Sequence, residues 1–278
     1  MSNLYVIATP IGNLDDLTIR AVHILREIPL VIAEDTRVTR KILNRIQAKP
    51  KIVSFHRRSS QSEATRIVSY LSRGDAALVT DAGTPGVNDP GQKIVAAAVA
   101  QGHNVVPLPG PSSVMAALSV CGFYVDQFTS CGFLPAARGK RRRFLNEIAQ
   151  QSIAAVFFET PHRLTAALQD IAEILNNRQL AICREMTKLH EEVWRGVAAD
   201  ALEHFDNPRG EFVIVVAPLD RGERSTRSRG ETNAKNQILT AASELSDRYD
   251  SRRDLVDAVA AKTQLSKNRV YQTLHRDS

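Results

Sequence analysis

The chain has 278 residues, 43% hydrophobic and 24% charged, with a net charge of +6, which describes a globular protein long enough for two domains of ordinary size. Cys121, Cys131 and Cys183 are odd in number and lack metal-ligand spacing, so neither a disulfide framework nor a zinc site is indicated, and no apolar run approaches the length of a membrane span. The positive excess favours polyanionic partners, nucleic acid ahead of a membrane surface, although solvated Lys and Arg faces give the same balance; a reducing cytoplasm is the expected location.

From the N-terminus, short apolar runs alternate with amphipathic segments. Leu4 to Ala8 reads as a buried strand, followed by a Pro-Gly loop from Thr9 to Asp16 and a helix from Leu17 to Ile28. Strands at Leu30–Glu34, Lys51–Phe55, Ala76–Thr80 and Asn104–Leu108 alternate with helices at Thr36–Ile46, Ser62–Ser72 and Gln92–Ala100. That alternation predicts a parallel sheet covered on both faces. Asp81 to Gly91 holds three Gly, two Pro and two Asp, a stiff turn in which Asp89 is the expected N-cap of the next helix. A third turn, Pro107 to Ser113, opens a helix that Ser112 and Ser113 can cap.

From Phe128 the chain restarts with Phe133-Leu134-Pro135, a basic helix, a strand at Ile153–Phe158, a helix at Arg163–Leu175, and strands at Leu180–Arg184, near Val193 and at Phe212–Val216. The last strands suggest antiparallel pairing. The expected organisation is α/β throughout: an N-terminal domain over 1–118, a second over 119–219, a basic linker over 220–230, and a helical tail over 231–278. In the tail, two short helices with Lys267, Asn268 and Arg269 on the first turn of the second resemble a helix-turn-helix, a pattern that a small helical bundle also gives without nucleic acid.

The usual phosphate loops are missing: there is neither G-x-x-x-x-G-K-[ST] nor a G-x-G-x-x-G after the first strand. Three loops fall at predicted strand ends, Thr9–Asp16, Asp81–Gly91 and Pro107–Ser113, and the later two carry no Lys or Arg. Ordinary β-to-α turns account for each alone; together they suit a flat, neutral or cationic nucleotide-like ligand better than a triphosphate. His56, His162 and His190 have no ligand-like spacing, so no metal site is expected.

The ordered motifs Thr-Pro-Ile-Gly-Asn-Leu-x-Asp (Thr9–Asp16), Ala-Glu-Asp-Thr-Arg (Ala33–Arg37), Asp-Ala-Gly-Thr-Pro (Asp81–Pro85), Asp-Pro-Gly (Asp89–Gly91), Pro-Gly-x-Ser (Pro109–Ser112), Gly-Phe-Leu-Pro (Gly132–Pro135) and Arg-Glu-x-Thr-Lys (Arg184–Lys188) resemble one family. It is the bacterial ribosomal RNA small subunit methyltransferase I family, over about residues 4–217. The resemblance implies the tetrapyrrole-methylase fold, with two α/β domains and a cofactor cleft between them. It further implies S-adenosylmethionine-dependent 2′-O-methylation of a cytidine ribose in the decoding region of 16S rRNA, and a homodimer. Carried over by motif, the methyl donor is expected on Pro10, Asp81, Gly83, Val87, Ser112, Ser113, Leu134, Met186 and Pro218. Two positions depart from the family: Arg57-Arg58-Ser59-Ser60-Gln61 follows His56 in place of a His-Asn-Glu segment, and Met186 replaces the usual Leu.

Methyl transfer to a ribose hydroxyl needs positioning and a base, and a cation near the developing alkoxide helps. Asp35 and Glu34 are the base candidates, with Arg37 and Lys188 as alkoxide or phosphate contacts; the same residues also suit a helix cap at Asp35 and an ion pair of Arg37 with Glu34 or Glu185. Trp194, Phe157 and Phe158 read as core. Arg138, Lys140, Arg141, Arg142 and Arg143 open a helix against its dipole, so phosphate contact with 16S rRNA or the small ribosomal subunit is expected there, with Lys267 and Arg269 in the tail. Two rival readings share these features: a tetrapyrrole (precorrin-type) C-methyltransferase, and a non-catalytic nucleic-acid-binding regulator.

Overall fold

A computed structural model describes residues 2–219, 237–245, 249 and 251–275. The chain divides into two compact units, Met1–Pro218 and Leu219–Ser278. The first unit contains two five-stranded sheets.

In the first sheet, β1 (Asn3–Ile7), β2 (Leu30–Ala33), β3 (Lys51–Ser54), β4 (Ala76–Val79) and β5 (Asn104–Leu108) run parallel in the order β3-β2-β4-β1-β5. All four residues of β2 are buried, because successive side chains enter cores on opposite faces. Leu30 and Ile32 join Leu78, Ile67 and Ile94 beneath α3 (Gln61–Val68) and α4 (Gly91–Ala100). Val31 and Ala33 join Leu25 and Leu43 beneath α1 (Ile19–Glu27) and α2 (Thr36–Arg45). The order sets β2, β4 and β1 side by side, so the loops at their carboxyl ends share one edge.

The second sheet has the order β6-β7-β10-β8-β9, built from β6 (Phe128–Phe133), β7 (Ala154–Glu159), β8 (Gln179–Arg184), β9 (Glu192–Val197) and β10 (Phe212–Val216). Only β6 and β7 pair in parallel; β10 pairs antiparallel with β7 and β8, and β9 antiparallel with β8, as the last strands suggested. The helices α6 (Arg138–Gln150), α7 (Pro161–Leu175) and α8 (Ala198–His204) cover one face over Leu145, Phe157, Leu168 and Ile214. Trp194 packs against this core and stacks on His204. On the other face α5 (Ser113–Val120) sets Val114 and Ala117 against Val156, Ala181 and Val215. The expected division at 118/119 therefore lies inside a helix that packs on the second sheet.

Two elements have weak sequence signals. In β6 the register shifts between Ser130 and Phe133, and Gly132 has φ +66, so the alternation of a regular strand is broken. The seven residues of α8 are too few to establish a helical period.

In the second unit, helix α9 (237–245), α10 (Arg252–Thr263) and α11 (Lys267–His275) enclose Ile238, Ala241, Val259 and Val270. Lys267 Nζ lies 2.8 Å from Asp257 Oδ2, so an ion pair answers the charge expected to meet RNA. The expected linker 220–230 and the side chain of Arg269 lie outside the described residues.

Candidate functional site

The three strand-end loops hold one another through backbone contacts. Thr9 and Gly83 exchange N–H···O=C bonds of 2.9 Å in both directions, while the Thr9 hydroxyl donates to Thr80 O at 2.9 Å. Thr84 Oγ1 donates to Pro111 O at 3.2 Å, tying the second loop to the third. Gly83 takes φ +83, a region that disfavours side chains. At Gly12 a Cβ would stand 2.6 Å from Lys188 Cγ and 2.9 Å from Met186 O, so only glycine lets the first loop reach the segment after β8. Thr187 Oγ1 accepts from Asn13 N at 3.0 Å across the same approach.

Asp89 works differently from the expected cap. Pro90 is the N-cap of α4, and the Asp89 carboxylate accepts from Gly86 N at 2.8 Å and Gly91 N at 2.7 Å, stapling the loop to the helix. Ser112 is the N-cap of α5, and its hydroxyl accepts from Met115 N; Ser113 is the first helical residue.

These loops and the ends of the second sheet enclose a cavity of about 420 Å³. Of the expected donor contacts, Asp81, Gly83, Val87, Ser112, Ser113 and Met186 line it. Pro10, Leu134 and Pro218 are not lining residues; Leu134 is 2% exposed and packs into the second sheet's core. Sequence reading missed Arg57, Phe133, Phe158, Cys183 and Glu211, which also line the cavity. Their signal was position: Phe133, Phe158 and Cys183 sit at or next to the last residue of a strand, and Glu211 precedes one. Phe158 packs against the core beneath α5, as expected, and also meets Phe133 with ring centroids 5.4 Å apart at the cavity wall.

The adjacent acids Glu34 and Asp35 have opposite environments. Glu34 lines the cavity and accepts a 2.9 Å bond from Thr80 Oγ1. Burial pushes its carboxyl above the ordinary range against that bond, with the charges of Asp81 and Asp89 adding to the rise. Burial likewise raises Asp81, although its Oδ1 accepts from Asp35 N at 2.9 Å. Asp35 is the N-cap of α2, accepting from Arg37 N at 2.8 Å. Arg37 Nη2 lies 2.6 Å from Asp35 Oδ2, and hydrogen bonds from that side chain and its backbone hold Asp35 at about 2. Arg37 thus pairs with Asp35, instead of the expected Glu34 or Glu185.

Lys188 lines the cavity but is committed to carboxylates, with Nζ 2.9 Å from both Glu185 Oε1 and Glu211 Oε2. Burial alone would lower it, and these two partners hold it above the usual lysine range. The basic helix α6 is also neutralised from within. Arg141 is 6% exposed and Arg138, Arg141 and Arg142 converge on Asp170 of α7, which is 1% exposed; Arg138 and Arg142 also reach Glu173. Arg141 therefore has no surface to offer phosphate, and only Lys140 and Arg143 of the run stand exposed with no such pairing among the described residues. The helix tolerates cations at its N-terminus because α7 supplies their counter-charges.

The family profile of the tetrapyrrole (corrin/porphyrin) methylases matches residues 3–202. A relative in Synechocystis named ribosomal RNA small subunit methyltransferase I is 37% identical over 98% of this chain and 97% of its own. A relative of the same name in Thermotoga maritima is 43% identical over 78% of this chain and 99% of its own. The chain belongs to the ribosomal RNA small subunit methyltransferase I family. Within it, the tetrapyrrole-methylase fold is shared with more distant enzymes. The structure of the methyltransferase CobJ superposes with a TM-score of 0.59 at 19% identity, covering 79% of this chain and 95% of that one. Uroporphyrin-III C-methyltransferase from Thermus thermophilus, complexed with S-adenosyl homocysteine, superposes with a TM-score of 0.56 at 15% identity, covering 78% and 97%.

Proposed function

We propose that this chain is an S-adenosylmethionine-dependent methyltransferase that modifies the 2′-hydroxyl of a cytidine ribose in the decoding region of 16S rRNA. Its full-length relatives carry the name of a small-subunit rRNA methyltransferase, and the seven ordered motifs support the finer reaction. The observation that carries the chemistry is Glu34, a half-buried carboxyl made more basic than usual at the wall of the loop-lined cavity.

The cavity suits the donor. Asp81, Asp89, Glu34 and Glu185 give it an acidic lining that favours a sulfonium and an ammonium. The first turn of α5 at Ser113 and Val114 presents N–H groups without intrahelical acceptors, a seat for a carboxylate. Ile11, Val87 and Met186 add apolar surface for a heterocycle. When bound, S-adenosylmethionine supplies an electrophilic methyl group.

Glu34 Oε atoms are the proton acceptor for the attacking hydroxyl, since the raised proton affinity brings a carboxylate closer to the working pH. Asp35, held at about 2, is a much weaker base; its work is to cap α2, fix Arg37 and orient Asp81 through its backbone N–H. The stapled loops keep the cavity walls in place, which is where most of the acceleration of an in-line displacement comes from. A homodimer acting in the cytoplasm on 16S rRNA or the assembled small subunit completes the reading, on the strength of the family resemblance.

Labelled methyl transfer to small subunits, naked rRNA and a tetrapyrrole tests this. Methylation of rRNA at a ribose is expected, with turnover in Glu34→Gln reduced by about 10²–10⁴-fold. The wild-type kcat/KM is expected to fall with acidification at a pH above the ordinary glutamate range, because Glu34 must be ionised and its pKa is raised. Methylation of the tetrapyrrole alone, or near-normal turnover in Glu34→Gln, overturns the assignment.

A further inference from the structure

A second group of exposed cations lies on α2 and on the loop after β3, which reaches the cavity at Arg57. On α2, Arg37, Arg40, Lys41 and Arg45 are exposed at intervals of three and four residues, opposite the buried Thr39, Ile42 and Leu43. The loop after β3 adds the exposed Arg57 and Arg58. Three observations join these cations to the site. The β3 strand pairs with β2, whose carboxyl end carries Glu34. Arg57 lines the cavity, with Nη2 donating to Asn88 O at 3.0 Å. Arg37 lies close enough to Asp81 for the two charges to stabilise each other. Arg37 and Arg45 pair with Asp35 and Asp15, whereas Arg40, Lys41 and Arg58 have no ion pair among the described residues.

We propose that Arg40, Lys41 and Arg58, with Arg57 at the cavity wall, form the surface that holds the RNA backbone beside the target nucleotide, in place of the neutralised helix α6. This rests on the rRNA reading above and identifies the face that takes the substrate. Unpaired guanidinium and ammonium groups on a rigid helix and an anchored loop are suited to phosphate, because binding releases counterions without breaking an existing pair. Arg57 joins this surface to the base candidate, so phosphates held here flank a ribose presented to Glu34.

The test compares full-length wild type, an Arg40→Gln/Lys41→Gln/Arg58→Gln variant, its Arg40→Lys/Arg58→Lys charge-preserving counterpart, and a Lys140→Gln/Arg143→Gln variant of α6. Binding to a single-stranded fragment of small-subunit rRNA is measured across a salt series, together with S-adenosylmethionine affinity and thermal unfolding. The triple variant is expected to keep donor affinity and unfolding temperature, to bind RNA at least about tenfold more weakly at low salt, and to lose about 2 from the salt slope, roughly 0.7 per contact. The lysine counterpart is expected to restore the slope. A wild-type slope in the triple variant, or an equal loss in the α6 variant, overturns the proposal. The RNA slope is read without turnover: the expected slope change without rRNA methylation supports the surface while overturning the assigned reaction.

Discussion

Helices α2 and α6 each carry at least four cations, yet most of those of α6 face a carboxylate-bearing neighbour and those of α2 face solvent. In α6 the cations look toward α7, and Asp170 gathers three of them in a nearly solvent-free position. In α2 the cap residue takes Arg37, and no neighbouring helix supplies carboxylates for Arg40 and Lys41 among the described residues. The difference teaches that density of positive charge in a sequence does not locate a polyanion site. What matters is which charges tertiary packing leaves without a partner.

The largest expected break in this contrast is Asp170→Asn, which leaves a buried Arg141 uncompensated. Chemical denaturation is expected to show a loss of about 3–5 kcal/mol, the usual cost of removing one member of a buried pair. A loss below about 1 kcal/mol would mean that the cluster is solvated and that α6 is open to phosphate after all.

A pH series sharpens the same point. Burial alone would raise Asp170, but hydrogen bonds from Arg142, Arg141 and Arg138 together hold it below the usual carboxylate range. A depressed folded-state pKa contributes stability that is complete above the unfolded value, about 3.9, and is lost as pH falls through the folded value. Wild-type stability is therefore expected to drop on acidification below about pH 4, and this part of the drop is expected to vanish in Asp170→Asn.

On α2 the expected effect is smaller. Asp35→Ala removes the cap and frees Arg37, and is expected to cost about 1 kcal/mol in unfolding measurements. Asp35→Asn, which keeps a capping oxygen, is expected to retain most of that stability and much of the turnover; loss of turnover matching Glu34→Gln would instead make Asp35 the base. Smallest of all, Lys140→Gln with Arg143→Gln is expected to change stability by less than about 0.5 kcal/mol, as for surface changes without partners.

Much of the first sheet could be read from residue order, because fully buried parallel strands such as Leu30–Ala33 are continuous apolar runs punctuated by Gly and Pro. The strand-end loops that line the cavity were legible for the same reason: Asp81 to Gly91 contains residue types that favour a shaped turn. By contrast, β6 was hidden by its register shift, and Phe133 and Phe158 gave no hint that they meet at a cavity wall, since their pairing depends on two strands being neighbours. Pro10 and Leu134 show the opposite limit: motif membership put them among the expected donor contacts, but neither lines the cavity, and Leu134 packs into the second sheet's core.

By itself, then, the sequence determined the alternating α/β architecture, the three strand-end loops, the capping role open to Asp35 and the family. Those features are local, written in apolar periodicity, in backbone-restricting residues and in motif order. Only the tertiary structure separates Glu34 from Asp35 by proton affinity, and α6 from α2 by the pairing of their cations. The proton affinity of a carboxyl and the availability of a cation depend on burial and on counter-charges brought from distant parts of the chain: Thr80, Asp81 and Asp89 around Glu34, Asp170 beneath Arg141.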